Sequence, residues 1–233
     1  MINVQTYNDG LPISVIVPTT NDKKRSDFFD NVVFPLIEAN NPNEIIVNDN
    51  PGSAPKKRND GFDKSTQPFI FFCDDDIALP KNHLLKLMDA LKNNPAKAYA
   101  YSGYYGIVLE KANHPLKSNF IIPTIPFDGE RLKQANYIST MSLIRREKFL
   151  RFDESLSRMQ DYDLWLTLLR NGSEGIAVFE NEFFAYYLDS GITTNKNSET
   201  EALRVIRQKH GINNIKERTW LLNLKRKIIN LRS

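Results

Sequence analysis

Three short apolar runs, separated by stretches with helical spacing, constrain the fold of this chain more than any other feature. The runs cover residues 13–17, 44–47 and 68–73. Each is rich in Ile, Val or Phe, which is typical of strands buried on both faces of a sheet. Residues 27–39 carry apolar side chains at helical spacing, and residues 54–65 form a weaker helical pattern. This alternation of strands and helices predicts a parallel sheet with right-handed crossovers, so the expected fold class is α/β.

The remainder of the chain predicts further elements around this sheet. Pro35 is expected to kink the first helix because proline has no N–H to donate. Residues 111–136 contain Pro115, Pro123 and Pro126 without clear periodicity, and so predict a long loop, which in a compact domain is usually functional or mobile. The other predicted elements are a helix over 84–91, a strand over 98–105, a strand over 137–144, a helix over 161–170, strands over 176–179 and 183–188, a polar loop over 189–198 and two C-terminal helices.

The composition excludes several classes of protein. At 233 residues and 41% hydrophobic content, the chain is long enough for one large domain with a buried core. A formal charge of +3 with scattered Lys and Arg argues against a general nucleic-acid surface. The single cysteine, Cys73, excludes an intrachain disulfide. No apolar stretch approaches the ~18 residues of a membrane span, and Met1 to Gly10 lacks a leader pattern, so we expect a cytoplasmic protein.

Three consecutive aspartates, Asp74, Asp75 and Asp76, directly follow the third predicted strand. Ligands of open α/β sheets bind at the carboxyl ends of such strands. Carboxylates about 4 Å apart repel by roughly 4 kcal/mol per pair at an effective dielectric constant near 20, so the cluster needs compensation. A divalent cation such as Mg²⁺ or Mn²⁺ would supply it, with Asp74 and Asp76 on one side of the segment and Asp75 facing elsewhere. The alternative is that one aspartate caps a turn and the others face water.

A second acidic candidate, Asp161, lies at the start of the predicted helix 161–170. Leu164, Trp165 and Leu168 follow it on the same helix face, so its carboxylate is expected to point inward. The helix N-terminus favours the ionised form, which a general base needs before it accepts a proton. The alternative is that Asp161 is only an N-cap.

Five segments carry a further signal when they are taken together. They are Ser14-Val15-Ile16-Val17-Pro18, Glu44-Ile45-Ile46-Val47-Asn48-Asp49, Lys57-Arg58-Asn59-Asp60-Gly61, Phe72-Cys73-Asp74-Asp75-Asp76, and Phe152-Asp153-Glu154 followed by Gln160-Asp161-Tyr162-Asp163-Leu164-Trp165-Leu166. In this order they resemble family 2 glycosyltransferases with the GT-A fold. The resemblance implies a mostly parallel sheet flanked by helices in a single domain. Its nucleotide-sugar-binding half would be 1–110, its acceptor-binding half 111–195, and a helical, basic tail would cover 196–233.

The resemblance also implies roles on the nucleotide side. Asp49 is similar to the carboxylate that accepts a hydrogen bond from the base and would favour uracil, with Asn50 where a second aspartate is common. Arg58 is similar to the arginine that steadies the base or the diphosphate, and a helical setting would place Arg58 and Asn59 over the strand ends. Thr20 stands where many relatives stack an aromatic ring on the base. The implied nucleotide-binding positions are Pro18, Thr20, Asn21, Asp49, Arg58, Asn59, Asp74 and Asp75, and the implied ligands of Mn²⁺ or Mg²⁺ are Asp74 and Asp76.

On the acceptor side, the resemblance implies that Asp161 removes the proton of the acceptor hydroxyl, so that the configuration of the sugar inverts. Gln160 replaces the usual glutamate, and Asp163 is expected to turn away from the catalytic face as charge support in the first helical turn. Relatives often carry a histidine in the region of residues 186–193, where this chain has none, and Asp189 either replaces that ligand or belongs to a turn. No role is assigned to the single histidines His83, His114 and His210.

The implied function is a metal-dependent, inverting glycosyltransferase of the hexosyltransferase type. Its donor would be a nucleoside diphosphate sugar, with a UDP-sugar favoured, and its acceptor a hydroxyl of a glycan or lipid-linked acceptor in polysaccharide synthesis. One alternative is a nucleotide-sugar-binding protein that has lost turnover. Another is a nucleotidyltransferase, although the loop after the first strand lacks the glycine-rich sequence that such enzymes use.

The C-terminal residues 216–233 combine Lys and Arg with apolar residues at helical spacing. Such a helix either lies on an anionic membrane surface with Trp220 as an anchor or docks on the catalytic domain and leaves its charges in water. The first alternative would place the protein peripherally at the inner face of the membrane.

Overall fold

The computed structural model describes residues 1–20, 22–109, 119–187 and 196–213, with residues 196–198 described for the backbone only. The strands are β1 (Ile2–Thr6), β2 (Leu11–Pro18), β3 (Pro42–Asn48), β4 (Phe69–Phe72), β5 (Ile77–Ala78), β6 (Tyr99–Tyr101), β7 (Tyr104–Val108), β8 (Phe120–Ile122), β9 (Leu143–Arg145), β10 (Gly175–Ala177) and β11 (Phe183–Tyr187). The helices are α1 (Lys23–Phe28), α2 (Phe34–Glu38), α3 (Ala54–Lys64), α4 (His83–Asn93), α5 (Gly129–Gln134), α6 (Gln160–Arg170) and α7 (Lys196–His210).

A seven-stranded main sheet has the order β1-β3-β2-β4-β9-β6-β10. β2 pairs in parallel with β3 on one side and with β4 on the other, so that Val15 lies opposite Ile45 and Phe71. β9 runs antiparallel to β4 and β6, β1 runs antiparallel to β3, and β10 runs parallel to β6. Strands β2, β3, β4, β6 and β10 therefore share one direction. The predicted α/β class with a mostly parallel sheet is confirmed.

Alternate side chains of the central strands pack on opposite faces of the main sheet, as the pleat of a strand requires. Ile16 and Phe72 belong to one core, which includes apolar side chains of α6 and α7. Val15 and Phe71 belong to the other core, which includes apolar side chains of α2 and α4. Burying one such side chain stabilises the fold by about 1.5–3 kcal/mol. Helices on both faces explain why the central strands are continuously apolar in sequence.

The predicted strand over 98–105 is two strands that belong to different sheets. β6 ends at Tyr101 in the main sheet, and β7 begins at Tyr104 in a second sheet of order β5-β11-β7-β8. The chain passes close to the end of β8 at Gly103, where a Cβ would lie 2.2 Å from the carbonyl oxygen of Ile122. Ser102 and Gly103 interrupt the aromatic run between the two strands, and the prediction of a single strand passed over this interruption.

The second sheet begins immediately after the acidic triplet. β5 pairs antiparallel with β11, with Ile77 opposite Ala185. The backbone N–H of Tyr186 donates to the carbonyl oxygen of Asp76 at 2.9 Å. The main chain of Asp76 is thus held by a strand that lies far away in sequence.

The first predicted helix is three consecutive pieces. α1 begins earlier than expected, at Lys23, and is capped by the Asp22 side chain, which accepts from the Arg25 N–H at 3.1 Å. A π-helical turn, Phe29–Val33, separates α1 from α2. Pro35 lies in the first turn of α2, where its missing N–H is tolerated. The expected interruption by Pro35 therefore takes the form of a change in helix type.

The predicted strand over 137–144 is wrong for most of its length, because only its last two residues fall in β9. The preceding segment is held by local hydrogen bonds, and the Asn136 side-chain oxygen accepts from the Ile138 N–H at 3.2 Å. Such bonds between side chain and backbone compete with strand pairing. Tyr137 and Ile138 are nevertheless buried, which is why the segment resembles a strand in sequence.

The predicted loop over 111–136 contains two regular elements, β8 and α5. α5 begins after Asp128, whose carboxylate accepts from the Arg131 N–H at 3.0 Å and so satisfies one free donor of the helix start. Pro123 and Pro126 lie between the two elements, and residues 110–118 are outside the described part of the chain.

The C-terminal part of the described chain is α7, whose Leu203 and Ile206 pack into the same core as α6. α7 begins at Lys196, so the last residues of the predicted polar loop are helical. Most of that loop, including Asp189, and the predicted helix over 216–233 lie outside the described residues. Within the described residues, none of the helices combines the length and the apolar character that a membrane crossing requires.

Candidate active site

The carboxyl ends of β2, β3 and β4 meet at one edge of the main sheet, where hydrogen bonds join the loops that follow them. Thr19, just after β2, donates from its hydroxyl to Asp75 at 2.9 Å and accepts at its carbonyl oxygen from Lys57 Nζ at 2.6 Å. Asn48, at the end of β3, donates to the carbonyl oxygen of Lys57 at 3.0 Å. α3, which carries Lys57, is thereby attached to both loops. These hydrogen bonds fix the positions of polar side chains at the sheet edge where the sequence predicts a ligand.

The three aspartates after β4 face different partners. Asp74 accepts from Arg58 Nη2 at 2.6 Å. Asp75 is buried and accepts from Arg25 Nε at 3.1 Å and from Arg25 Nη2. Asp76 accepts from Arg25 Nη2 at 3.1 Å. The side chains of Asp74 and Asp76 remain 31% and 27% exposed, so Asp75 differs from the other two, as predicted. The cause is a turn rather than an extended segment, since the Ile77 N–H donates to the carbonyl oxygen of Asp74 at 3.2 Å.

Arg25 belongs to this cluster but is not recognisable as a site residue in the sequence. In the sequence it belongs to a basic run, Lys23-Lys24-Arg25, and no spacing distinguishes it from its neighbours. The fold brings α1 beside the acidic triplet, and only this placement reveals its role.

Arg58 connects the acidic triplet to the start of α6, and the region between these two segments is called the cleft below. Its side chain is 5% exposed, and its Nη1 donates to the side-chain oxygen of Gln160 at 3.1 Å, while Nη2 donates to Asp74. The guanidinium carbon lies 5.4 Å from the centre of the Phe152 ring, within the range of a cation–π interaction. Because Gln160 begins α6, one side chain joins the end of β4 to the start of that helix.

Asn59 points to a different part of the cleft wall. It is buried, its amide nitrogen donates to the carbonyl oxygen of Phe152 and to Glu154 at 2.9 Å each, and its oxygen accepts from the Phe152 N–H at 2.9 Å. Neighbouring residues of a helix do not share a face. The expectation that Arg58 and Asn59 both lie over the strand ends therefore holds for Arg58 only. Asn59 instead fixes the segment against which Arg58 packs, and its contact with a nucleotide stays a prediction.

Of the other predicted nucleotide-binding positions, those that the structure describes lie at the ends of β2 and β3. Pro18 is the buried last residue of β2, Thr20 is exposed just beyond it, and Asn21 is outside the described residues. Asp49 follows β3, is 41% exposed and accepts a hydrogen bond from the Met1 amino group, which lowers the pKa of its carboxyl. Because Pro18 pairs with Asn48, the described positions Pro18, Thr20 and Asp49 follow neighbouring strand ends, and their contacts with a ligand stay predictions.

Asp161 lies in the first turn of α6, beside Gln160. Its carboxylate accepts from Asn136 Nδ2 at 3.1 Å and from the Tyr162 N–H at 2.8 Å. Burial raises the pKa of Asp161, whereas these two hydrogen bonds and the positive charge of Arg58 lower it, and the charge of Asp74 raises it. Arg58 bonds both Asp74 and Gln160, the neighbour of Asp161, so the acidic triplet and the start of α6 lie close together. The catalytic role of Asp161 stays a prediction.

The alternative that Asp161 is only an N-cap is wrong, because the N-cap of α6 is Met159, which has a left-handed backbone with φ 58°. Asn136 was not identified from the sequence, since it lies in a segment without recognisable chemistry. Only its hydrogen bond to Asp161 shows that it belongs to the site.

A family model described as "Glycosyl transferase family 2" matches residues 22–152, which is more than half of the chain. The chain belongs to this family. The match includes the acidic triplet and Arg58, whereas Asp161 lies beyond its end. A search of the curated proteins finds no match to this glycosyltransferase-family chain.

Solved structures with a similar fold include TarS of S. aureus. The structure of TarS residues 1–349 shares 16% sequence identity over 91% of this chain and 68% of TarS 1–349, with a TM-score of 0.55. The same protein in complex with UDP-GlcNAc gives a TM-score of 0.56 at 16% identity, over 91% of this chain and 69% of the other. Its complex with UDP gives 0.53 at 16% identity, over 91% and 68%. At this identity, the likeness shows the shared GT-A fold.

In this family 2 chain, Asp163 has a structural partner that the sequence did not predict. It is buried and accepts from Lys209 Nζ and from His210 Nε2, both at 2.8 Å. Asp163 lies in the first turn of α6 and turns away from Asp161, as expected, whereas its burial and its contacts with α7 were not predicted. It anchors α7, and His210, to which the sequence assigned no role, takes part in that contact.

The donor set at the acidic triplet fits a divalent cation that is shared with a substrate. Within the described part of the chain, no three His, Cys, Asp or Glu side chains are gathered into a complete metal site. Magnesium and manganese sites at phosphates, however, often use one or two carboxylates together with phosphate oxygens. Burial and the charge of Asp74 raise the pKa of Asp76 to about 7, although Arg25 opposes this. Arg25 therefore compensates the negative charge of Asp76 only in part.

Proposed function

We propose that this family 2 chain is an inverting glycosyltransferase of the hexosyltransferase type that uses a UDP-sugar donor and a divalent cation. The observation that carries the proposal is the bridge from Asp74 through Arg58 to Gln160, which brings the acidic triplet and Asp161 to one cleft. The acceptor is a hydroxyl of a glycan or a lipid-linked acceptor in polysaccharide synthesis. The structures of TarS with UDP-GlcNAc and UDP support this class of donor, since they have a similar fold.

In the proposed reaction, the acceptor oxygen attacks the anomeric carbon of the sugar from the face opposite the nucleotide. The bond between this oxygen and carbon forms while the bond from the carbon to the β-phosphate oxygen breaks, and its electron pair leaves with UDP. Asp161 takes the proton of the acceptor hydroxyl, a contribution that typically accelerates such steps by about 10²- to 10⁴-fold. One displacement from the opposite face inverts the configuration of the anomeric carbon.

The remaining site residues bind and orient the donor. Asp49, exposed at the end of β3, would accept from the uracil N–H. Arg58 would steady the nucleotide while its contacts with Asp74 and Gln160 fix its own position. Asp74 and Asp76 would hold Mn²⁺ or Mg²⁺, which supplies electrostatic stabilisation of the departing diphosphate when bound.

A nucleotide-sugar-binding protein without turnover is the second candidate. Gln160 favours this candidate, because it is a neutral amide at the position of the family's usual glutamate. Gln160 contacts Arg58 directly, so the missing negative charge changes the electrostatics between the two acidic centres. Measured turnover distinguishes the two candidates.

The proposed cellular context is the cytoplasm, with peripheral contact at the inner face of the membrane through residues 216–233. Its support is the combination of basic and apolar residues in this segment. Flotation of the full chain with anionic vesicles, compared with a chain that ends at residue 213, tests it. Equal flotation of the two proteins would contradict the contact.

The decisive test of turnover is the release of UDP from candidate UDP-sugars in the presence of Mn²⁺, including slow hydrolysis without an acceptor. We expect Asp161→Asn to lower this release by about 10²-fold or more, since the amide cannot accept the proton, while UDP affinity measured by calorimetry is retained. Asp89→Asn, which changes an exposed aspartate of α4, is the matched control and should behave as the native protein. Unchanged release by Asp161→Asn would contradict the role of Asp161, and absence of release from every donor would favour the binding protein.

A further inference from the structure

Arg25 has the position of a phosphate-binding residue. It contacts Asp76, one of the two aspartates that fit a divalent cation, at 3.1 Å. Its side chain is 32% exposed and that of Asp76 is 27% exposed, whereas Asp75 beneath them is 3% exposed. A ligand that reaches Asp76 from solvent therefore also meets the guanidinium of Arg25.

The guanidinium has hydrogen-bond donors that its protein partners do not use. An arginine side chain carries five N–H groups in a planar fork. The bonds to Asp75 and Asp76 use Nε and Nη2. Among the described residues, Nη1 donates no hydrogen bond, so its two N–H groups are left for a ligand. Phosphate oxygens match this geometry, because arginine binds them through paired donors.

The orientation of Arg25 is fixed in advance by Asp75. This buried carboxylate accepts from Nε and Nη2 of Arg25 on one side and from the Thr19 hydroxyl at 2.9 Å on the other. A side chain held in this way loses little further freedom when a ligand binds. Asp75 is thus a positioning residue for Arg25, which explains why the middle aspartate of the triplet is buried.

The charges of the cluster support the same role. Three carboxylates, of Asp74, Asp75 and Asp76, contact two guanidinium groups, of Arg25 and Arg58. Arg25 is positive throughout the working range, because a guanidinium group is not deprotonated in proteins, and the neighbouring Asp75 and Asp76 stabilise its charge. A divalent cation at Asp74 and Asp76 would turn the net charge of the cluster positive, which suits a diphosphate.

We infer that Arg25 is a second, built-in cation of the donor site, which binds the diphosphate beside the divalent cation and retains part of the affinity for it when the divalent cation is absent. This inference rests on the proposed function, because it assigns Arg25 to the diphosphate of the same donor. It also predicts that nucleotide binding is weakened, but not abolished, by a chelator.

The test measures the binding of UDP, inorganic pyrophosphate and uridine by calorimetry or NMR, each in Mn²⁺ and in EDTA. We expect the native protein to bind UDP and pyrophosphate in EDTA. Arg25→Gln should weaken both by about tenfold or more, which corresponds to the loss of charge-assisted hydrogen bonds, and should leave uridine affinity unchanged. Lys23→Gln is the matched control, because it removes one positive charge from an exposed position of the same helix, and it should bind as the native protein does.

Arg25→Gln leaves the buried Asp75 without its cation, so a second variant guards against loss of the fold. Arg25→Lys keeps the positive charge but lacks the fork, so it cannot hold Asp75 and phosphate together. We expect it to bind pyrophosphate more weakly than the native protein in EDTA while its uridine affinity shows an intact cleft. Native pyrophosphate affinity in either folded variant would overturn the inference.

The outcomes separate this inference from the proposed function. Native UDP binding that is equally strong in Arg25→Gln leaves the donor class standing and rejects Arg25. Pyrophosphate binding that depends on Arg25, without any preference for UDP, supports Arg25 and rejects the nucleotide donor. Failure of the native protein to bind any phosphate compound rejects both.

Discussion

Single residues at the cleft have roles that depend on their neighbours more than on their own chemistry. Asp74, Asp75 and Asp76 are chemically identical, yet one contacts Arg58, one is buried between Thr19 and Arg25, and one is left partly uncompensated. The identities of such residues are visible in the sequence, whereas their partners come from helices that lie elsewhere in the chain.

At the residue scale, Asn136 offers a test of how the general base is tuned. Burial raises the pKa of Asp161, and the hydrogen bond from Asn136 is one of the contacts that lower it. Because a base must be ionised, the rate falls as the pH drops through this pKa. Asn136→Ala removes the hydrogen bond, so the pKa rises further and the acidic limb of the profile of kcat against pH should move to higher pH.

The matched control for this prediction is Asn93→Ala, at an exposed position at the end of α4, which should leave the profile unchanged. A profile for Asn136→Ala that coincides with the native one, or that moves to lower pH, would show that Asn136 does not act on the base.

At the scale of elements, α4 begins with a buried histidine that should make folding sensitive to acid. The ring centre of His83 lies 5.9 Å from those of Phe71 and Phe183, and among the described residues neither ring nitrogen has a hydrogen-bond partner. Burial lowers the pKa of His83 to about 3. Between this value and the pKa of about 6.5 of an unfolded histidine, only the unfolded chain binds the proton. The folded state therefore loses stability as the pH falls below about 6.5.

We expect this residue to contribute a slope of about 1.4 kcal/mol per pH unit to the free energy of unfolding between about pH 6 and 4. Urea unfolding of the native protein and of His83→Leu at a series of pH values measures it. The difference in stability between the two proteins should shift in favour of the variant as the pH falls. A constant difference across this range would contradict the prediction.

The elements themselves could be predicted where periodicity and packing agree. The predicted bounds are close to the observed ones for the strands β2, β3 and β4 and for the helices α3, α4 and α6. The three strands are central in the main sheet, and the three helices each have a regular buried face. The errors occur where another interaction replaces the pattern. Gly103 ends one strand and allows the next to join another sheet, and the side chain of Asn136 holds an irregular segment that has a strand-like composition.

The candidate site could be predicted only in part, for a similar reason. Asp49, Arg58, Asp74, Asp76 and Asp161 occur in segments with a recognisable order, and the fold brings the last four to one cleft. Arg25 and Asn136 carry no local signal, because their roles arise from contacts between distant segments. Asn59 was expected over the strand ends beside Arg58 but contacts Phe152 and Glu154, since a motif does not specify which way each of its side chains points.

At the scale of the whole molecule, α7 is joined to the catalytic helix α6 by a buried carboxylate. Asp163 accepts from Lys209 and His210 of α7, and its side chain is 3% exposed. Asp163→Ala removes the shared acceptor and leaves two buried or half-buried donors without it. We expect the free energy of unfolding to fall by about 2–4 kcal/mol, toward the lower end because Lys209 is one-third exposed and retains Asp153.

Urea unfolding checks this value, with Glu201→Ala as the matched control. Glu201 pairs with Arg204 on the exposed face of α7, so its removal should leave stability unchanged. Equal stability of the Asp163→Ala and native proteins would mean that α7 does not depend on this contact.

The hydrogen bond from the Tyr186 N–H to the carbonyl oxygen of Asp76 has a consequence for the order of assembly during synthesis. The strand that holds Asp76 leaves the ribosome more than a hundred residues after Asp76 itself. The nascent N-terminal half can build β2, β3 and β4, but its acidic triplet acquires its final backbone support only when nearly the entire domain has been translated.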